Sequence, residues 1–270
     1  ALACRCWERA RLEDHLLVLN FSDDMINFLL DLAKDAGDKI LEFYQTDIEV
    51  REKIDKSLVT EADEQAESII LNGLAQFTPN IPAIGEESYS AGERHDISGG
   101  TFWLVDALDG TKEFVNQRNE FTVNIALIED GIAIFGIVLA PALLRTFWGG
   151  AFGAFCKDGK KQIKKITTRA TPKDGITVVS SRSNREGESN FLANYEVKNT
   201  LNLGSSLKIC LIAAGEADLY PRLGPTSEWD IAAGHAILTA AGGSLTQIDG
   251  SPFLYGKDTI LNPSFIAQGQ

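Results

Sequence analysis

The sequence predicts a layered α/β fold in which helices and sheets stack in alternation. Three observations carry that expectation. A helical hydrophobic period fills residues 26–44, short apolar runs of strand length follow from residue 102, and helical and strand patterns alternate beyond residue 206.

Taken in order, Ser22 caps a helix in which Ile26, Leu29, Leu30, Ala33, Ile40, Leu41 and Tyr44 recur near the helical period, so that face is core. Ile48 and Val50 alternate with charged neighbours as in a half-exposed strand, and Thr60 opens a second helix running to about Phe77. Residues 81–87 read as a short strand leading into acid. Phe102-Trp103-Leu104-Val105 is a compact apolar run that stops at Asp106, the pattern of a buried strand with a polar group at its carboxyl end. Strands are expected at 121–128, 132–139, 147–155, 176–180, 217–220 and 244–248, and helices at 206–214 and 230–241. No repeat, low-complexity tract or linker interrupts residues 25–270, which are expected to form one domain of two packed lobes dividing near residue 160. Residues 1–24 carry no such pattern and no signal-peptide core, so they are expected to be a non-native leader or an extension, with Met25, the only methionine, as the natural start.

A chain of 270 residues with 44% hydrophobic content builds a substantial core. Acidic residues outnumber basic ones 38 to 25, and the net charge of −13 repels nucleic acid and anionic membrane, so neither is an expected partner. The longest apolar stretch, residues 132–144, contains Gly136 and Pro141 and falls short of the ~20 residues that span a bilayer. It reads as buried sheet, and no stable membrane insertion is expected. Cys4, Cys6, Cys156 and Cys210 form no CxxC pair and no zinc set with His15, His95 and His235, which predicts reduced thiols in the cytoplasm.

Three clusters carry chemistry: Gly85-Glu86-Glu87-Ser88, Asp106-Ala107-Leu108-Asp109-Gly110-Thr111, and Trp229-Asp230-Ile231-Ala232. Each sets carboxylate at the end of an apolar element. Hard divalent cations take oxygen ligands, and magnesium keeps a near-octahedral set completed by water and substrate phosphate. Gly110 permits a tight turn that aims both aspartates and a carbonyl inward. Singly, each cluster has a plainer reading. Glu86-Glu87 reads as a solvated turn, Asp230 as a helix-capping acid, and the Asp106–Asp109 pair as an ordinary loop whose spacing fails the EF-hand pattern. Their combination in this order strengthens the reading as a divalent-metal site.

The segments WLVDALDGTKEF and WDIAAGHAI resemble the paired signatures of the inositol monophosphatase superfamily, with GEES as the upstream glutamate, and the resemblance runs from Met25 to the end. Within it, Gly204-Ser205-Ser206-Leu207-Lys208 and Tyr220-Pro221-Arg222-Leu223-Gly224-Pro225-Thr226 are similar to the bacterial 3′(2′),5′-bisphosphate nucleotidase branch. The resemblance implies a layered α-β-α-β-α sandwich. It also implies hydrolysis of 3′-phosphoadenosine 5′-phosphate, a by-product of sulfate assimilation, to AMP by direct in-line attack of water, and sensitivity to lithium. Two or three Mg2+ ions are implied, held by Glu86, Asp106, the Leu108 carbonyl, Asp109 and Asp230, with Asp106 bridging. Thr111 paired with Asp63 is implied to activate the water, with Glu86 in the catalytic set. For Asp63 there is a second reading, since Thr60-x-x-Asp63 is also a capping-box pattern. Implied substrate contacts are Leu108, Asp109, Gly110, Thr111, Ser181, Ser183, Ser205, Lys208, Arg222 and Asp230.

Two residues depart from the family pattern: Ala107 stands where proline is usual, and Asn184 where histidine is expected near the nucleotide. The expected partner is a small phosphorylated nucleotide, and monomer and homodimer are equally compatible. Inositol monophosphate, fructose 1,6-bisphosphate and NADP are the alternative substrates, which the acids alone do not discriminate. A regulatory binding protein on the same scaffold is the reading from another class, and the retained acid set argues against it.

Overall fold

The structure is a computed structural model, and it describes residues 21–46, 49–53, 58–182 and 187–270. The expected strand residue Ile48 and the candidate site residues Ser183 and Asn184 lie outside the described residues, as do residues 1–20.

The chain opens with α1 (Asp23–Phe43), a hairpin of β1 (Val50–Glu52) and β2 (Leu58–Thr60), and α2 (Glu61–Phe77). Next come β3 (Ala83–Gly85), the short α3 (Glu86–Ser90), β4 (Thr101–Asp109), the short α4 (Thr111–Val115), β5 (Thr122–Glu129) and β6 (Ile132–Ala140). A 3₁₀ turn at Pro141–Leu143 leads to β7 (Arg145–Gly150), β8 (Gly153–Asp158) and β9 (Lys164–Ile166). The remainder is β10 (Ile176–Ser181), α5 (Glu188–Leu192), β11 (Val197–Leu203), α6 (Leu207–Ala213), β12 (Leu219–Arg222), α7 (Glu228–Ala240), β13 (Ser244–Gln247) and β14 (Phe265–Gln268).

Strands β3 to β9 form a seven-stranded sheet in sequence order, antiparallel except for the parallel β3–β4 pair. A second sheet of five strands has the order β11-β10-β12-β14-β13. The first sheet therefore ends at Ile166 and the second begins at Ile176.

Alternation along β4 shows how the layers form. Trp103 and Val105 face α1 and α2, in a core with Leu29, Ile40, Ile70 and Leu74. Phe102 and Leu104 point the other way, into a core shared with α6, α7 and the inner face of the second sheet. On the outer face of that sheet, Ile176, Val178 and Leu219 pack against Phe191 and Leu192 of α5. The order is thus α, β, α, β, α, as the resemblance implied. Gly136 is the point of closest approach: a Cβ there would lie 2.3 Å from the Ala233 carbonyl oxygen. The backbone of α7 therefore rests directly on β6, and this contact fixes where Asp230 emerges.

Two strand expectations need correction. Residues 147–155 form two strands, because the chain turns at Ala151-Phe152 without a polar residue to mark it. Strand β4 does not stop at Asp106 but runs to Asp109, with a register irregularity between the two aspartates. Helix α1 starts at Asp23, two residues before Met25. Ser22 Oγ accepts from the Met25 amide at 3.2 Å, and Phe21 stacks on Phe135 at 4.7 Å, so residues 21–24 are part of the packed structure.

Candidate active site

The ends of β3, β4 and α7 converge, and each delivers acid. Glu86, Asp106 and Asp230 present carboxylate oxygens that all lie within 4.8 Å of one another. Asp106 is 2% exposed and fixed by the Leu108 amide, which donates to its Oδ1 at 3.0 Å. Asp230 is the third residue of α7, and its Oδ2 accepts from the Ser227 amide at 2.8 Å in a capping box. One oxygen thus serves the helix while the carboxylate remains in the cluster.

Asp109 ends β4 beside this cluster. Its Oδ2 accepts from the Ser206 amide at 2.5 Å, and Asn124 Nδ2 reaches the same oxygen at 3.5 Å. Gly110 follows in the left-handed region at φ 95°, a turn that brings the chain back as α4. Asp63 touches both the helix cap and Thr111. Oδ2 takes the Thr60 amide at 2.8 Å and the Thr60 hydroxyl at 2.6 Å, while Thr111 Oγ1 donates to Oδ1 at 3.2 Å. The Thr111 hydroxyl also lies 3.3 Å from the Leu108 carbonyl, whose residue buries its side chain in the α1–α2 core.

Crowding these acids into a water-poor cleft raises their proton affinities. Burial, then repulsion from Glu86 and the neighbouring aspartates, holds Asp106 well above the ordinary carboxylate range. Asp230 is raised by burial and by Asp109 and Glu86. Burial pushes Asp63 up to about 6, and Asp109 also to about 6 even though Lys208 and the Ser206 amide oppose the rise. Lys53 donates to Glu86 and to Glu87, each at 2.7 Å. Burial alone would lower its pKa, yet the two carboxylates outweigh burial and raise it. Glu87 nevertheless rises to about 8 through burial, so one ammonium does not balance the acid around it. Hard oxygen donors at this spacing, raised by mutual repulsion, suit a divalent cation.

Next to the acids lies a cationic pocket. A cavity of about 140 Å³ is lined by Ser181, Gly204, Ser205, Lys208, Tyr220 and Arg222 among others. The acid cleft, about 350 Å³, holds Glu86, Asp106, Leu108 and Thr111. Both are lined by Asp109, Gly110, Glu113 and Asp230, so they adjoin. Lys208 is 6% exposed, donates to the Ser205 carbonyl at 2.6 Å and sits 5.3 Å from the centre of the Tyr220 ring. Burial lowers its pKa to about 8, against the pull of Asp109. Arg222 donates from Nη2 to the Pro225 carbonyl at 2.7 Å, and its buried Nε has no hydrogen-bond partner among the described residues.

The structure thus gathers every candidate site residue that it describes, and shows others that sequence reasoning passed over. Asn124 had a visible signal, a lone amide inside the apolar run of β5. Lys53 had none, whereas Glu113 and Tyr220 lie inside the signature segments without standing out in them.

The inositol monophosphatase family profile matches residues 22–269. Among curated relatives, the 3′(2′),5′-bisphosphate nucleotidase CysQ of Salmonella typhimurium is 44% identical over 89% of this chain and 98% of its own length. That of Escherichia coli K12 is 42% identical with the same coverage. Among solved structures, CysQ from Bacteroides thetaiotaomicron, described as a bacterial member of the inositol monophosphatase family, superposes with a TM-score of 0.78 at 31% identity. It covers 93% of this chain and 99% of its own.

Proposed function

This chain belongs to the inositol monophosphatase family, and from that premise we propose that it is a magnesium-dependent nucleotidase that hydrolyses 3′-phosphoadenosine 5′-phosphate to AMP and phosphate. The observation that carries the reading is the junction of the two cavities at Asp109 and Gly110, an acid cleft opening onto a pocket that holds Lys208 and Arg222. A substrate with two phosphates fits such a junction, one phosphate in the cleft and the other against the two cations. The naming of relatives 42–44% identical to the chain as 3′(2′),5′-bisphosphate nucleotidases supports the same substrate.

Two or three magnesium ions would be held by Glu86, Asp106, Asp109, Asp230 and the Leu108 carbonyl. Bound there, they supply water activation, charge neutralisation on the phosphate and stabilisation of the leaving oxygen. The protein's own contribution begins with Asp63, which accepts a hydrogen bond from the Thr111 hydroxyl beside the cleft. Thr111 accepts the proton of the attacking water and passes its own to Asp63. Water oxygen bonds to the 3′-phosphorus, the bond to the ribose 3′-oxygen breaks, and that oxygen takes a proton from solvent water and leaves as the 3′-hydroxyl of AMP. No covalent enzyme intermediate is required. Lys208 and Arg222 hold the remote 5′-phosphate and so position the reacting one. Buried free thiols at Cys156 and Cys210 suit the reducing cytoplasm, where we place the reaction.

The test is phosphate release from 3′-phosphoadenosine 5′-phosphate, inositol monophosphate, fructose 1,6-bisphosphate and NADP, with and without magnesium. The nucleotide bisphosphate is expected to have the highest kcat/KM, with activity lost on chelation and reduced by lithium. A higher kcat/KM for inositol monophosphate, or activity that survives chelation, would overturn the assignment.

A further inference from the structure

A buried polar chain crosses from the first sheet to the loop that carries the substrate pocket. Ser206 sits at its centre, 4% exposed. Its amide donates to Asp109 Oδ2 at 2.5 Å, its hydroxyl donates to Asn124 Oδ1 at 2.7 Å, and Thr122 Oγ1 lies 2.9 Å from that same hydroxyl. Asn124 Nδ2 closes the circuit at 3.5 Å from Asp109 Oδ2. Thr122 is fully buried and Asn124 is 1% exposed, so these bonds form away from competing water.

The consequence lies in what is joined. Asp109 is a carboxylate of the acid cleft, whereas Ser206 belongs to the segment that places Ser205 and Lys208 in the pocket. That segment is held in one shape: Ser205 has a positive φ of 52°, Lys208 donates back to its carbonyl, and the Gly204 amide donates to Glu120 at 3.0 Å. The bonds to Oδ2 leave Oδ1 as the oxygen of Asp109 without a partner among the described hydrogen bonds. Turning the Asp109 carboxylate would break the Ser206 amide bond, and shifting the segment would turn the carboxylate.

We propose that Thr122, Asn124 and Ser206 form a latch through which cation binding at Asp109 and nucleotide binding in the pocket strengthen one another. They are positioning residues that touch neither the reacting phosphate nor the attacking water. The inference rests on the nucleotidase reading. Linkage requires the coupling to be mutual, so magnesium tightens the nucleotide by the same factor as the nucleotide tightens magnesium.

The probe is 3′-deoxyadenosine 5′-monophosphate, which has the remote phosphate but no oxygen at the reacting position, so the reacting position itself offers no ligand to a cation. Its affinity is measured by calorimetry with and without magnesium. In the unaltered protein we expect magnesium to tighten it ~5-fold or more, the lower end of typical couplings between sites. Asn124→Ala removes both the acceptor and the donor, and is expected to bring the factor to within about twofold of unity. Thr122→Val, which keeps shape and loses the hydroxyl, should lower the factor, and Thr122→Ser should retain it. The valine–serine contrast applies even if Asn124→Ala fails to fold. Magnesium-independent affinity in the unaltered protein overturns the latch while leaving the nucleotidase reading standing, as does full coupling in both Asn124→Ala and Thr122→Val. Failure of the unaltered protein to bind the probe at all overturns the reading, and the latch with it.

Discussion

Replacing Lys208 with methionine tests which part of the pocket recognises substrate. The structure removes the plainest alternative, a solvated surface lysine, because the side chain is buried, bonded to the Ser205 carbonyl and set against Tyr220. Methionine preserves length and apolar contact and removes one positive charge. A hydrogen bond from a charged donor contributes ~1.5–3 kcal/mol, so losing it from the 5′-phosphate lowers kcat/KM for 3′-phosphoadenosine 5′-phosphate roughly 10- to 150-fold. Contact with a remote phosphate persists from the bound substrate to the transition state, so the loss should fall mainly on KM. Adenosine 3′-monophosphate, which lacks that phosphate, should lose much less. Lys208 also lowers the proton affinity of Asp109, and its removal therefore changes proton and cation binding there for both substrates alike. Saturating magnesium at pH 8 suppresses that shared effect. The assay is initial-rate phosphate release for the two substrates side by side, with the melting temperature as a check on folding. Equal losses on both substrates would refute the placement of the 5′-phosphate at Lys208.

Three further outcomes follow from the same geometry. Asp109→Asn retains an oxygen to accept the Ser206 amide but loses the charge, so it should fold normally while phosphate release falls roughly a hundredfold or more, the worth of several kcal/mol of charge stabilisation; near-normal turnover would reject the metal site. Asp63 and Asp109 have folded pKa values near 6, above the unfolded aspartate value of about 4, so the folded metal-free protein binds more protons than the unfolded chain and loses their contribution as pH rises from about 4 to 6. Magnesium binds the deprotonated carboxylates, and the melting-temperature gap between magnesium-saturated and metal-free protein should therefore widen from pH 5 to pH 7; a gap independent of pH contradicts the crowded-acid account. A chain beginning at Met25 should fold and stay active but lose the Ser22 cap and the Phe21–Phe135 stack, together about 2 kcal/mol, or roughly 4–8 °C in melting temperature relative to a chain beginning at Phe21. Identical melting temperatures would show that residues 21–24 contribute nothing.

Much of the fold was legible where a pattern had one physical cause. The periodic face of α1 reports burial against one neighbouring layer, with Leu29, Ala33 and Ile40 buried and Ile26, Leu30, Leu41 and Tyr44 packed at its margin, and the unbroken apolar run of β4 reports burial on both faces. Strand β11 went unread because its first five residues are exposed, leaving mixed polar and apolar residues with no period. Strand β9, with Lys164 and Lys165 both exposed, hid for the same reason, since edge strands are held by backbone pairing that side chains do not announce. The site was legible as a set of acids but not as a shape. Lys53 reaches Glu86 and Glu87 from a separate hairpin, and Ser206 reaches Asp109 across 97 positions of sequence, contacts that no local pattern encodes.

Asp63 and Asp230 explain why the plain and the functional readings of one residue need not compete. Each stands at the third position of a helix whose capping residue is a hydroxyl, Thr60 or Ser227, and each gives one carboxylate oxygen to that residue's amide. A capping box orients a carboxylate rigidly without consuming it, because a second oxygen remains for use elsewhere. In Asp63 the second oxygen takes the Thr111 hydroxyl; in Asp230 the carboxylate joins Glu86 and Asp106. The helix end thus supplies the rigidity that a metal-assisted site needs from its acids. Removing Thr60 or Ser227 should in consequence disturb catalysis as well as helix stability.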